Sequence, residues 1–167
     1  MEIVTKNVMI RLTAVHTGVD EEVDETGEVE VATDENGDEE PVSMVYDMDT
    51  EGILRVSDDK IEIEYFENEL TGIDGTCANI SFDKRDRGLV TLLRTGAVQT
   101  AMTFEEGKRN VCVYTTDELT FEITVRTWDL VNEIDENGGK IVIDYAIEVR
   151  GSTVEHTKIE IYVTVGK

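Results

Sequence analysis

The sequence predicts an all-β protein, an antiparallel meander β-barrel of nine or ten strands. Three observations carry this prediction. Apolar and polar residues alternate in short runs from Ile53 to Val165, the period of strands with one face turned inward. Gly, Asn and Asp turn signals interrupt those runs at roughly 8–15-residue spacing, the rhythm of a sandwich or barrel. The chain has a single proline, Pro41, outside every run, and no stretch with helical periodicity. Up-and-down hairpin connections favour closure, which removes exposed strand edges.

The elements follow in order. In residues 8–15, Val8, Ile10, Leu12 and Ala14 alternate with Met9, Arg11 and Thr13, a first strand. Residues 44–56 resume the sheet, and Gly52 within them marks a bulge or bend, as an isolated strand glycine often does. Ser57-Asp58-Asp59-Lys60 turns into residues 61–67, where Ile61, Ile63 and Tyr65 share a face. Residues 78–82, 89–95, 98–104 and 110–115 read as short strands joined at Arg87-Gly88, Thr95-Gly96 and Glu106-Gly107. Leu119, Phe121, Ile123 and Val125 alternate with polar residues through 127, giving one wet face. Asn137-Gly138-Gly139 is the strongest hairpin turn, because a two-residue hairpin needs positive φ. It leads into Ile141, Ile143, Tyr145, Ile147 and Val149, and Arg150-Gly151-Ser152 turns into a last strand of Ile159, Ile161, Val163 and Val165.

Length predicts one domain over residues 1–167, large enough to bury about 70% of its unfolded surface. Thirty-eight acids against fifteen bases leave a net charge of −23. That charge repels nucleic acid and anionic membranes, so neither is an expected partner. Residues 20–40 hold twelve acids and no Lys or Arg. Like charges without apolar anchors do not repay ordering entropy, so about 18–42 is expected as a mobile acidic loop. Cys77 and Cys112 are too few and too far apart for a disulfide framework. With no apolar leader at the N-terminus, the expected location is the cytoplasm, with both thiols reduced.

No catalytic, cofactor or metal motif stands in the chain. His16 and His156 lie in no HExxH, and GxSxG, GxGxxG and GxxxxGK[ST] are absent. Asp47, Asp49, Glu51, Gly52 and Asp58 fall at positions 1, 3, 5, 6 and 12 of a calcium loop. Their flanks are strand-like where that motif needs helices, so the acids read as the outward residues of an edge strand.

Several short motifs, taken together in order and spacing, carry more. Thr50-Glu51-Gly52, Tyr65 with Glu67 and Glu69, Arg94-Thr95-Gly96, Phe104-Glu105-Glu106-Gly107, Tyr114 with Thr116, Thr127, and Gly139 with Tyr145 resemble the YwiB-like family. These are small bacterial proteins of unassigned function. The resemblance covers about residues 45–163 and implies a calycin-like (lipocalin-like) barrel without supplying an activity. The chain departs from the family at Asp117-Glu118-Leu119, where Pro, an aromatic and Gly are usual, and its acidic insertion is longer.

Parity alone gives the candidate site. Arg94 shares a face with Val90 and Leu92, and Glu67 with Ile61, Ile63 and Tyr65, so both charges continue inward faces. A buried Arg must be paired, and a carboxylate suits its fork. One reading is a structural ion pair plugging a barrel end, with Tyr65, Tyr114 and Tyr145 completing its bonds. Another is an anion-recognising Arg at a barrel mouth, where such folds hold small ligands. A third leaves Arg94 exposed at its strand end. The candidate ligand-binding residues are Arg94, Glu67, Tyr65, Tyr114, Tyr145 and Thr127, with no catalytic residue, metal ligand or cofactor. The expected function is non-catalytic binding of a small amphipathic or anionic ligand. The alternative is an interaction module with a filled barrel, acting as a homodimer. Trp128, beside Arg126 on the wet parity, reads either as a partner anchor or as a cover over a barrel end.

Overall fold

Alternation in sequence becomes alternation of inward and outward side chains in the computed structural model, which describes residues 3–17, 32–33, 39–40, 43–67 and 75–166. The strands are β1 (Val4–Thr17), β2 (Ala32–Thr33), β3 (Glu39–Glu40), β4 (Ser43–Val56), β5 (Lys60–Phe66) and β6 (Thr76–Asp83). They continue as β7 (Asp86–Gly96), β8 (Gln99–Glu105), β9 (Arg109–Thr115), β10 (Thr120–Asn132), β11 (Gly138–Val149) and β12 (Ser152–Val165). The long strands form a closed barrel in the order β1-β12-β11-β10-β9-β8-β7-β6-β5-β4, all pairs antiparallel, and β4 returns to β1. β2 and β3 form a separate two-stranded ladder. Most of the acidic stretch expected as a mobile loop lies outside the described residues.

The inward faces fill the barrel. Ile10, Leu12, Leu54, Ile61, Ile63, Val90, Met102, Phe104, Ile141 and Ile161 are fully buried. Each such side chain contributes about 1.5–3 kcal/mol relative to exposure, so apolar burial dominates the stability. The meander puts the β4–β5, β6–β7, β8–β9 and β10–β11 connections at one end of the barrel. Ile134, fully buried in the β10–β11 connection, plugs that end. The Arg87 guanidinium donates to the Ile134 carbonyl, and Asn132 donates to the Arg87 carbonyl while accepting from the Ile134 amide.

Most turns fall where the residues place them. Gly138 and Gly139 have φ of 100° and 134°, and Arg150-Gly151 takes 53° and 82°. Two expectations are corrected. The β6–β7 turn is at Lys84-Arg85, and Arg87-Gly88 lies within β7. An Asx turn, in which the Asp83 carboxylate accepts from the Arg85 amide at 2.8 Å, needs no glycine. Gly52 marks no bulge, since its register with β1 and β5 is unbroken. It is a close-approach glycine, because a Cβ there would meet the Ile10 side chain and lie 2.7 Å from the Glu64 carbonyl oxygen. Pairing is thinnest between β8 and β9, which share only Gln99↔Thr115 and Thr100↔Tyr114.

Candidate functional site

The other barrel end gathers the β1–β4, β5–β6, β7–β8, β9–β10 and β11–β12 connections, and there the inward faces turn polar. Arg94 in β7 lies between Ala78 of β6 and Thr100 of β8 in register. Ala78, small and fully buried, leaves lateral room for the guanidinium. Glu67 follows β5 and prolongs its ladder, its amide donating to the Thr76 carbonyl at 2.8 Å. That ladder keeps Glu67 on the inward parity of Tyr65. The Arg94 Nε donates to Glu67 Oε1 at 3.0 Å, with the Glu67 side chain 2% exposed and that of Arg94 18%.

The electrostatics follow from burial. Desolvation raises the Glu67 pKa, and the nearby Arg94 charge pulls against it. Burial likewise raises the Tyr65 phenol, and pushes Tyr145 up to about 12. Both phenols therefore keep their protons at neutral pH. The Tyr145 ring meets Phe104 edge-on at 4.9 Å, and its hydroxyl is hydrogen-bonded to Thr157.

Thr157 opens a second polar group. Its hydroxyl donates to Glu155 Oε1 at 3.0 Å and lies 2.8 Å from His16 Nδ1, which is itself 2.5 Å from Glu155 Oε1. The His16 hydrogen bond above all holds the Glu155 carboxyl below its usual range, against the cost of burial. Two hydroxyls are left over. Thr76 and Thr127 are each 1% exposed, and neither Oγ1 has a hydrogen-bond partner among the described residues.

Of the six residues singled out by parity and motif, Arg94, Glu67, Tyr65 and Tyr145 come together. Thr127 is the cross-strand partner of Tyr145. Tyr114 lies two strands from Arg94 in the same row, across from Thr100, with its ring packed on Phe121 at 5.3 Å. Parity also held a signal for residues the sequence reading passed over. His16 continues the inward series that ends in Ala14, and Glu155 and Thr157 extend the series that begins at Ile159.

The outer surface differs in character. Trp128 sits at a β10 bulge on the barrel wall, not over an end, with the Arg126 guanidinium 4.9 Å from its ring centroid and His156 edge-on at 4.8 Å. Asp47, Asp49 and Glu51 stand exposed along an extended strand, so the calcium-loop spacing is not a loop. An open groove of about 840 Å³ crosses β1, β4 and β5 beside them.

These features define a class: a ten-stranded meander β-barrel, plugged at one end and carrying a buried arginine–carboxylate pair at the other. The chain belongs to the family described as a domain of unknown function (DUF1934), which matches residues 25–161. It is 28% identical over 112 residues to the uncharacterized β-barrel protein YwiB of Bacillus subtilis, spanning 67% of this chain and 75% of that protein. The crystal structure of the same B. subtilis protein superimposes with a TM-score of 0.69 at 19% identity, covering 98% of this chain and 94% of that one. At that identity the likeness is one of fold, and the YwiB-like resemblance in the motifs is the family relationship.

Proposed function

We propose that the protein is a cytoplasmic, non-catalytic binding protein that holds a small anionic ligand at the polar end of the barrel, on Arg94. The observation that carries this reading is the state of the guanidinium. Glu67 takes Nε, while the two Nη groups have no hydrogen-bond partner among the described residues and the side chain as a whole stays 18% exposed. Their shared edge suits a bidentate carboxylate or phosphate. Glu67 is balanced by Arg94, and the Glu155 carboxylate is engaged by His16 and by the Thr157 hydroxyl. The orphaned hydroxyls of Thr76 and Thr127 are further support, since a buried polar atom without a partner calls for one. The filled core limits the ligand to the mouth and to a few heavy atoms.

Calorimetric titration with acetate, succinate, butanoate and inorganic phosphate tests this. At least one should bind, and Thr127→Val and Thr76→Val should weaken it tenfold or more while leaving the melting temperature level or higher. No heat with any of the four, together with an apo mass by native mass spectrometry of protein from its own host, would overturn the reading. A second reading, the homodimer with a filled barrel, is favoured by exposed Val111, Val113 and Leu93 near the thin β8–β9 pairing. Sedimentation velocity showing only monomer at high concentration would dismiss it.

A further inference from the structure

We infer that the edge of β4 over residues 47–51, unpaired among the described residues, accepts an added β-strand from an extended, basic segment of a partner protein. β4 pairs with β1 along its whole length, Ser43 through Val56, but with β5 only from Gly52 to Val56. Over residues 47–51 one side of the β4 backbone therefore meets no strand among the described residues. Every second residue there turns its N–H and C=O outward, a template for strand addition. Of the usual edge protections these residues carry charge but neither proline nor a bulge, the register against β1 running through them unbroken.

Charge decides the occupant. Asp47, Asp49 and Glu51 stand exposed along this edge. Arg11 takes Asp47 at 3.0 Å and Arg55 takes Glu64 at 3.2 Å, whereas Asp49 and Glu51 make no ion pair among the described residues. Two copies meeting edge to edge would set these acids against each other, and like charges directly opposite are destabilising. The net charge of −23 adds to that repulsion. A segment carrying Lys or Arg on the outward face is attracted instead.

The groove supplies the remaining contacts. It is lined by Met9, Ile53 and Phe66 as well as by Asp49, Glu51 and Glu64. Phe66 is 71% exposed and shares the groove with Met9, itself 47% exposed, so the apolar surface there is a patch rather than a lone side chain. The fitting segment thus carries both kinds of side chain on its outward face, cations beside Asp49 and Glu51 and an apolar or aromatic side chain against Phe66 and Ile53.

The probe is a labelled ten-residue peptide with Lys, Lys and Phe at successive outward positions and Thr between them, followed by fluorescence anisotropy against the full chain. Two further versions carry backbone N-methyl groups on one strand edge or on the other, with charge unchanged. One methylated edge should weaken binding tenfold or more and the other should not. Asp49→Lys with Glu51→Lys should also cost tenfold or more, and Phe66→Ser several-fold. Glu106→Lys with Glu122→Lys, the same charge change on exposed positions elsewhere, should cost less than twofold. Equal tolerance of both methylated edges, or equal losses in the two charge-reversed proteins, would reduce the binding to general attraction and overturn the inference. A dimer that the peptide dissociates would put a second copy on the edge and overturn it as well.

Discussion

Replacing Arg94 by alanine removes the only ion-pair partner, among the described residues, of a carboxylate whose side chain is 2% exposed. Breaking a buried pair in this way costs about 3–5 kcal/mol. The structure sets a limit on that cost, because a stranded carboxyl takes up a proton. Holding a group of ordinary pKa 4.5 protonated at pH 7 costs about 3.4 kcal/mol at 1.36 kcal/mol per pH unit, and at pH 5 about 0.7. The sign follows from a raised folded pKa: the deficit is full at neutral pH and shrinks as pH falls toward 4.5. Urea unfolding followed through Trp128, the single tryptophan, reads both values. At pH 7 the variant should melt roughly 7–14 °C below wild type, at about 2–4 °C per kcal/mol for a chain of this size. Arg94→Leu with Glu67→Leu should recover most of the loss, since the desolvation cost leaves with the pair. A deficit below about 1 kcal/mol at pH 7, or one equal at pH 7 and pH 5, would refute the argument that Glu67 depends on Arg94 for its charge.

Two further outcomes follow from the same geometry. Glu155 has a lowered folded pKa, so its contribution is complete above the ordinary carboxylate value of 4.5 and is lost as pH falls through the lower folded value. Glu155→Gln should thus destabilise by about 1 kcal/mol at pH 7, modest because the side chain is 38% exposed, and the gap should close by pH 3; a gap constant with pH would contradict the His16 pairing. Gly52→Ala should cost about 1–3 kcal/mol in chemical denaturation through overpacking against Ile10 and the Glu64 carbonyl, and a neutral substitution would show that β5 has room to move.

Much of the barrel was legible in the residues. Period-2 alternation is a local property, so the inward faces of β1, β5, β10 and β11 could be read directly, as could the β10–β11 turn, whose Glu136-Asn137 corner runs into the positive-φ glycines Gly138 and Gly139 at the start of β11. The same parity turned Arg94 and Glu67 inward, because a strand interrupted by neither bulge nor proline keeps its phase. Local pattern failed where another interaction substituted for the expected signal. An Asp83 carboxylate, not a glycine, makes the β6–β7 turn, and Gly52 serves a neighbouring strand rather than its own bend. What only the tertiary structure decided was which inward residues meet. Strand order and stagger bring Arg94 to Glu67 and Tyr145 to Thr157, while Tyr114, on an equally inward face, goes to Phe121. The early parting of β5 from β4 is likewise a matter of register. Side-chain phase depends on the residues of one strand, whereas register depends on all of them at once, because closing the barrel fixes each strand's offset against both neighbours.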